Sequence, residues 1–244
     1  MRPNLEHYIA AQNATVCKFA GQLWIADASG ALFWPQQQWL IISDCHFEKG
    51  SYLKQFANPI PVVDTQTTLQ IIASLITIYQ PKKVVCLGDS FHDVHADKRL
   101  LSTDIKTLQS LIASVPKWDW VLGNHDPDIP GQFSGNRVPY LIQDKILFTH
   151  EPEDAETLSE ITTEYRLPVE YQIIGHYHPK LYKTIRRQSM SGKCFVFDAK
   201  NMIMPAIGTF TGGLDVNDPA FSPWVDLNAR QYVLCYQHKA FRLV

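Results

Sequence analysis

Five apolar, strand-like runs of this 244-residue chain end in side chains able to bind a metal ion. The ends are Ser43-Asp44-Cys45-His46, Gly88-Asp89, Gly123-Asn124-His125-Asp126, Thr149-His150 and Gly175-His176-Tyr177-His178, and they hold five of the 9 histidines. Open α/β sheets gather ligands in the crevice outside the carboxyl ends of their strands, so these segments are expected to converge. Asp44/His46 and His176/His178 are spaced i, i+2, which in extended backbone points both side chains the same way, roughly 6–7 Å apart at Cα. That separation suits two adjacent ions. Ions ~3.5–4 Å apart need a bridging carboxylate among mixed Asp, His and amide ligands, and Asp89 is the natural bridge. Gly88, Gly123 and Gly175 stand where the chain must turn sharply into the donors.

The elements that position these donors follow from periodicity. Short β-rich runs at residues 15–19, 23–25, 31–34 and 39–43 are separated by turn formers such as Gly21 and Ala28-Ser29-Gly30. From Asp64 the period changes: Leu69, Ile72, Ile76 and Tyr79 recur at helical spacing until Pro81. Residues 83–87 and 118–122 read as strands, with a helix over 102–114 between them. The back half reads mostly as strands, at 138–142, 146–149, 171–174, 181–185, 194–197, 202–204 and 232–236, with a helix near 153–164. No repeat or linker divides the chain, so residues 1–244 are expected to form one domain of two packed sheets with helices outside.

Composition narrows the function. Apolar residues are 45% and charged residues 19%, which describes a folded globular chain, and a net charge of −2 excludes coating nucleic acid by bulk electrostatics. The charge is nevertheless segregated. Residues 151–170 carry seven acids against Arg166 alone, whereas 180–193 carry Lys180, Lys183, Arg186, Arg187 and Lys193 with no acid. No run reaches the ~18 apolar residues of a membrane helix, and the first residues lack a signal-peptide core, so no membrane contact and a cytoplasmic location are expected. The five cysteines form no CxxC pair and read as reduced core residues, Cys45 among them.

Taken in order, Asp44-x-His46, Gly88-Asp89, Gly123-Asn124-His125-Asp126, His150 and Gly175-His176-x-His178 resemble the calcineurin-like metallophosphoesterase superfamily across residues 44–178. The resemblance implies an α/β fold, a four-layer α-β-β-α sandwich. It also implies two divalent ions, Mn foremost with Fe, Zn or Ni as alternatives. One is surrounded by Asp44, His46, Asp89 and His178, the other by Asp89, Asn124, His150 and His176. His125 is left free to assist phosphoryl chemistry as a catalytic residue, with Asp126 orienting its ring.

One departure is informative. The superfamily spaces its second carboxylate as Gly-Asp-x-x-Asp, whereas Gly88-Asp89-Ser90-Phe91-His92-Asp93 has one extra residue and no Arg directly after it. The phrase Cys86 to Asp93, with Asp44-Cys45-His46-Phe47-Glu48-Lys49-Gly50, His150-Glu151-Pro152 and the segment Pro205 to Leu214, is similar to the bacterial ligase-associated DNA damage response endonucleases of PdeM type. That likeness implies phosphodiester cleavage of DNA, including single-stranded DNA, and a role in repair beside a ligase and a helicase. His92, Arg186 and Arg187 are the substrate-contact candidates. Two other classes stay open: a phosphatase or pyrophosphatase acting on a small or lipid-linked phosphate, and a non-catalytic protein-binding module. Intact donors weigh against the module, and the absence of an amphipathic membrane-facing helix weighs against the lipid substrate.

Overall fold

The computed structural model describes residues 3–56, 63–185 and 188–243. Seven strands, β1 (Ala14–Phe19), β2 (Gln22–Asp27), β3 (Leu32–Trp34), β4 (Trp39–Ile42), β5 (Lys83–Leu87), β6 (Lys117–Val121) and β7 (Asn136–Val138), form a first sheet in chain order. The pairs from β1 to β4 are antiparallel and those from β4 to β7 parallel. The second sheet comprises β8 (Leu141–Gln143), β9 (Ile146–Thr149), β10 (Tyr171–Ile174), β11 (Lys180–Ile185), β12 (Gln188–Phe197), β13 (Asn201–Ile203), β14 (Gln231–Tyr236) and β15 (Lys239–Leu243). Its order is β15-β14-β12-β13-β10-β9-β8, with β11 added to β12 as a hairpin. Five helices complete the fold: α1 (Pro3–Ala10), α2 (Lys49–Lys54), α3 (Asp64–Tyr79), α4 (Ser102–Ala113) and α5 (Ala155–Tyr165).

Strand alternation builds the layers. In β5, Val84 and Cys86 join Leu69, Ile72, Leu75 and Leu108 of α3 and α4 on one face, while Val85 and Leu87 pack on the other against Ile146, Phe148 and Ile173 of the second sheet. Trp24 and Trp34 are fully buried between the sheets, with Trp34 and Phe148 6.0 Å apart across the interface. Each such side chain contributes roughly 1.5–3 kcal/mol of burial. On the outer face of the second sheet, Ile174, Val196 and Leu234 are covered by Val216, Phe221 and Val225, and α5 lies beside them across a groove lined by Leu158, Gln172 and Trp224. The result is the expected α-β-β-α sandwich with a thin fourth layer. No helix among the described residues is long and apolar enough to cross a membrane.

Most expected strands and both long helices lie where periodicity puts them. Three departures have physical causes in the structure. Residues 138–142 are not one strand: Pro139 removes a backbone donor, β7 ends on the first sheet, and β8 starts on the second. Helix α2 is six residues long and is held by distant partners, Gly50 N donating to Asp64 Oδ2 at 2.9 Å and Glu48 N to Thr65 Oγ1 at 2.8 Å. The unexpected α1 buries Leu5 and brings Tyr8 to the first sheet, where Tyr8 Oη (3.1 Å) and Tyr79 Oη (2.7 Å) both donate to the buried Asp27 Oδ2. Replacing Tyr79 by Phe leaves that carboxylate short of a donor, so Tyr79→Phe should lower unfolding stability by about 1–3 kcal/mol, read as a reduced urea midpoint at unchanged m-value.

Candidate metal centre

Every donor segment leaves the carboxyl end of a parallel strand. Asp44 follows β4, Asp89 follows β5, Asn124 and His125 follow β6, His150 follows β9 and His176 follows β10, so the two sheets converge at one edge. The i, i+2 pairs are not extended, contrary to the spacing argument. Asp44 (φ 55°), His46 (φ 46°), Asp89 (φ 47°), His176 (φ 68°) and His178 (φ 48°) all lie in the left-handed region. Such conformers cost roughly 1–3 kcal/mol each and persist where surrounding structure over-determines them. The glycines act differently from expectation too. Gly88 alone of the three has positive φ (75°); a Cβ at Gly123 would lie 2.3 Å from Asp89 N, and one at Gly175 2.2 Å from Ser43 Oγ. Gly123 and Gly175 are there for close approach rather than for a turn.

The donors gather in two groups, and Asp44 also stands with Asp89 and His150. Around the first, His178 Nε2 is 2.9 Å from Asp44 Oδ1 and 3.3 Å from His46 Nε2, and His46 Nε2 is 3.7 Å from Asp89 Oδ2. Around the second, His150 Nε2 is 3.1 Å from Asn124 Oδ1, 3.3 Å from His176 Nδ1 and 3.4 Å from Asp89 Oδ1. Asp89 thus turns one oxygen to each set, as a carboxylate bridging through both oxygens would. Two tests support cations here. Asp44 Oδ1 is buried without a well-directed hydrogen bond despite its close imidazole neighbour, and imidazole nitrogens face one another at 3.3 Å in both sets. The donor chemistry, carboxylate, imidazole and amide with no thiolate, fits two divalent ions. Cys45, between two donors, is buried in the apolar core, and burial pushes its thiol up.

Burial opposes charge on Asp44 and Asp89, yet the neighbouring His178 and His150 rings hold both carboxyls below the usual range. Burial pushes His46 down to about 3, leaving it neutral, with a lone pair to offer. Burial also works against a charge on His150, but its hydrogen bond to Asp89 and the charges of Asp44 and Asp89 push it up to about 9.

Two expected roles are corrected. Asp126 does not touch the His125 ring. Its two oxygens accept from the backbone N–H groups of Asp89, Ser90, Phe91 and Gly123 at 2.7–3.1 Å, tying the loop after β5 to the loop after β6. The ring is oriented by the His92 carbonyl, which accepts from His125 Nδ1 at 2.8 Å and so fixes the tautomer with Nε2 toward the donors, 4.0 Å from Asp89 Oδ2. His92 itself is buried rather than open to substrate. Its Nδ1 lies 3.3 Å from His46 Nδ1 and its ring stacks on His125, so it backs both. The other substrate candidates, Arg186 and Arg187, lie outside the described residues. Asp93 joins no donor set; it forms a two-point ion pair with Arg99.

Several neighbours carry no sequence signal. Ser43 Oγ holds Asp44 Oδ2, Glu151 stands 3.6 Å from His176 Nδ1, and half-buried Lys49 is close enough for its charge to act on His46, His92 and Asp89. A cleft of about 280 Å³ lined by His176, Tyr177, His178, Gly213 and Leu214 opens over the donors. A larger one, about 1080 Å³, lies beside α5 away from them.

With this geometry in hand, the comparisons define the class. The family model for calcineurin-like phosphoesterases matches residues 39–167, just over half of the chain and five of its seven proposed donors. The chain belongs to that family and is a hydrolytic metallophosphoesterase. The crystal structure of Pseudomonas putida nuclease MPE superposes on 95% of this chain and 100% of its own with a TM-score of 0.70 at 21% identity, which establishes the shared fold. More distant are the Aquifex aeolicus protein of unknown function AQ665 (57% and 78% covered, TM-score 0.39, 22% identity) and Zn²⁺-complexed Vps29 of Entamoeba histolytica (84% and 97%, 0.38, 16%). No curated protein matches the chain.

Asp126→Ala should therefore behave as a loss of the loop clamp. Bound metal by elemental analysis and the melting temperature should both fall, whereas a pure ring-orienting residue would lower turnover alone.

Proposed function

We propose that this chain hydrolyses phosphodiesters in nucleic acid, with two divalent cations held by Asp44, His46, Asp89 and His178 and by Asp89, Asn124, His150 and His176. The observation that carries this is the division of Asp89 between two donor sets, with His125 Nε2 beside them at 4.0 Å from Asp89 Oδ2. When bound, the cations supply Lewis acidity, activating water near neutral pH and neutralising phosphoryl charge. The chain's own residues do the rest. Half-exposed His125, its Nδ1 proton committed to the His92 carbonyl, presents Nε2 for proton transfer to the leaving oxygen. Lys49 adds positive charge beside the carboxylates.

Nucleic acid as substrate is supported by the hairpin of β11 and β12 that rises beside His178. Exposed Lys183 joins Lys180 and Lys193 on it. Phosphate contacts of this kind hold a backbone without reading sequence. The neighbouring fold named a nuclease agrees with this reading. Mn as the resident metal, DNA as the polymer and a place in repair beside a ligase and a helicase complete the proposal on the strength of the motif resemblance, and a cytoplasmic, single-domain protein on the sequence's apolar runs and the lack of an evident linker.

The test is a turnover comparison. Mn-loaded protein should hydrolyse bis(4-nitrophenyl) phosphate faster than 4-nitrophenyl phosphate, and should cleave DNA oligonucleotides; a preference for the monoester points instead to a small-molecule phosphatase. His125→Ala should retain its metal and lose ~10²–10⁴ in kcat. Asp89→Ala should lose metal and activity together. Metal loss in His125→Ala would return that ring to the ligands.

A further inference from the structure

Beside the metal donors, with His178 common to both, lies a cavity of about 130 Å³ lined by His178, Lys180, Lys193, Gly208, Thr209 and Thr211. At roughly 30 Å³ per water molecule it is large enough for a tetrahedral oxyanion. Its wall contains two lysines and no acid. Lys180 and Lys193 are directly opposed partners in the β11–β12 register, and like charges placed so destabilise a sheet. Among the described residues neither ammonium has a carboxylate within ion-pair distance. Lys193 Nζ instead donates to the Ser29 (3.1 Å) and Ala206 (2.9 Å) carbonyls, and Lys180 Nζ reaches only the Thr211 carbonyl at 3.4 Å. An ammonium has three N–H donors, so both lysines keep donors in hand.

The facing loop adds more. Gly208 N is tied to the Asp44 carbonyl at 3.1 Å, which locks the loop to the donor segment. The N–H groups of residues 209–213 find no acceptor among the described residues. Gly213, at φ 154°, lets the loop come against the His178–Lys180 segment, since a Cβ there would stand 2.2 Å from the His178 carbonyl oxygen and 3.1 Å from Lys180 Cε.

We infer that this cavity seats a second phosphate group of the substrate, adjacent to the one at the metal centre, with Lys180 and Lys193 as its cationic wall. The inference rests on reading the donor sets as a phosphoester-hydrolysing centre. It gives the enzyme a requirement: substrates with two neighbouring phosphates, as in a polynucleotide, gain over those with one. A pyrophosphate-linked nucleotide offers the same chemistry, so both sources enter the test.

The readout is a ratio taken within each protein. The Mn-loaded enzyme is given a thymidine dinucleotide without a terminal phosphate and the same dinucleotide phosphorylated at its 5′ or 3′ end. For the wild type, kcat/KM should rise about tenfold or more with one of the two phosphorylated forms, mainly through KM, as expected for a charge-assisted hydrogen bond. In Lys180→Gln that ratio should fall to under about threefold. Lys193→Gln should do the same, with melting temperature and metal content measured because Lys193 also ties Ser29 and Ala206. An independent readout is binding of inorganic phosphate to the metal-free full chain by calorimetry, which should be weakened in Lys180→Gln. Ratios equal in wild type and variants, or no gain in a wild type that still cleaves the dinucleotide, overturn the subsite. If no dinucleotide is cleaved but a nucleoside pyrophosphate linkage is, with the same dependence on Lys180, the subsite stands and the nucleic-acid reading falls.

Discussion

Two sheets brought together at their carboxyl ends must leave room for seven polar side chains, and the backbone gives way to make it. At Gly123 and Gly175 a methyl group would collide with Asp89 N or with Ser43 Oγ, and at Gly88 with the His150 ring. That intimacy is what allows Asp89 from one sheet and His150 from the other to share a site. Around it Asp44, His46, Asp89, His176 and His178 adopt left-handed backbone, a strained arrangement whose Asp89 part Asp126 secures by holding four N–H groups across two loops.

The fold was legible wherever burial on both faces wrote a continuous apolar run. Residues 83–87, 146–149 and 171–174 coincide with β5, β9 and β10 because buried parallel strands need no polar alternation. The helices α3 and α4 showed their apolar stripe. What escaped notice depends on partners outside the segment itself: α2 on Asp64 and Thr65, α1 on Asp27, and β15 on β14 and on the Gln12 carbonyl, which accepts from Ala240 N. The donor set was legible for a related reason. Metal chemistry restricts side-chain types, and strand ends restrict their placement. The second layer was not, since Asp126 reaches main-chain donors and His92 acts partly through its carbonyl, and neither role is encoded by residue type.

The protein carries little net charge but distributes it with purpose. Acids gather along α5 and the groove beside it, whereas the hairpin beside His178 holds lysines opposed across the strands. The carboxylates at the centre are balanced by imidazoles and half-buried Lys49 rather than by surface ion pairs. The positive and negative side chains are thus kept on different parts of the second sheet's surroundings rather than interleaved.

Because the first sheet follows chain order from β1 to β7, a nascent chain lays each strand against its immediate predecessor. Asp44, His46, Asp89 and Asn124 are in hand once residue 124 has been made, but His150, His176 and His178 arrive with β9 and β10 of the second sheet. A half-synthesised chain holds carboxylates without the imidazoles that complete either set. Ion capture is thus the final latch of assembly, and its binding energy accrues only to the finished sandwich. The order of synthesis works as a safety catch: no hydrolytic centre exists until the molecule that controls it is whole.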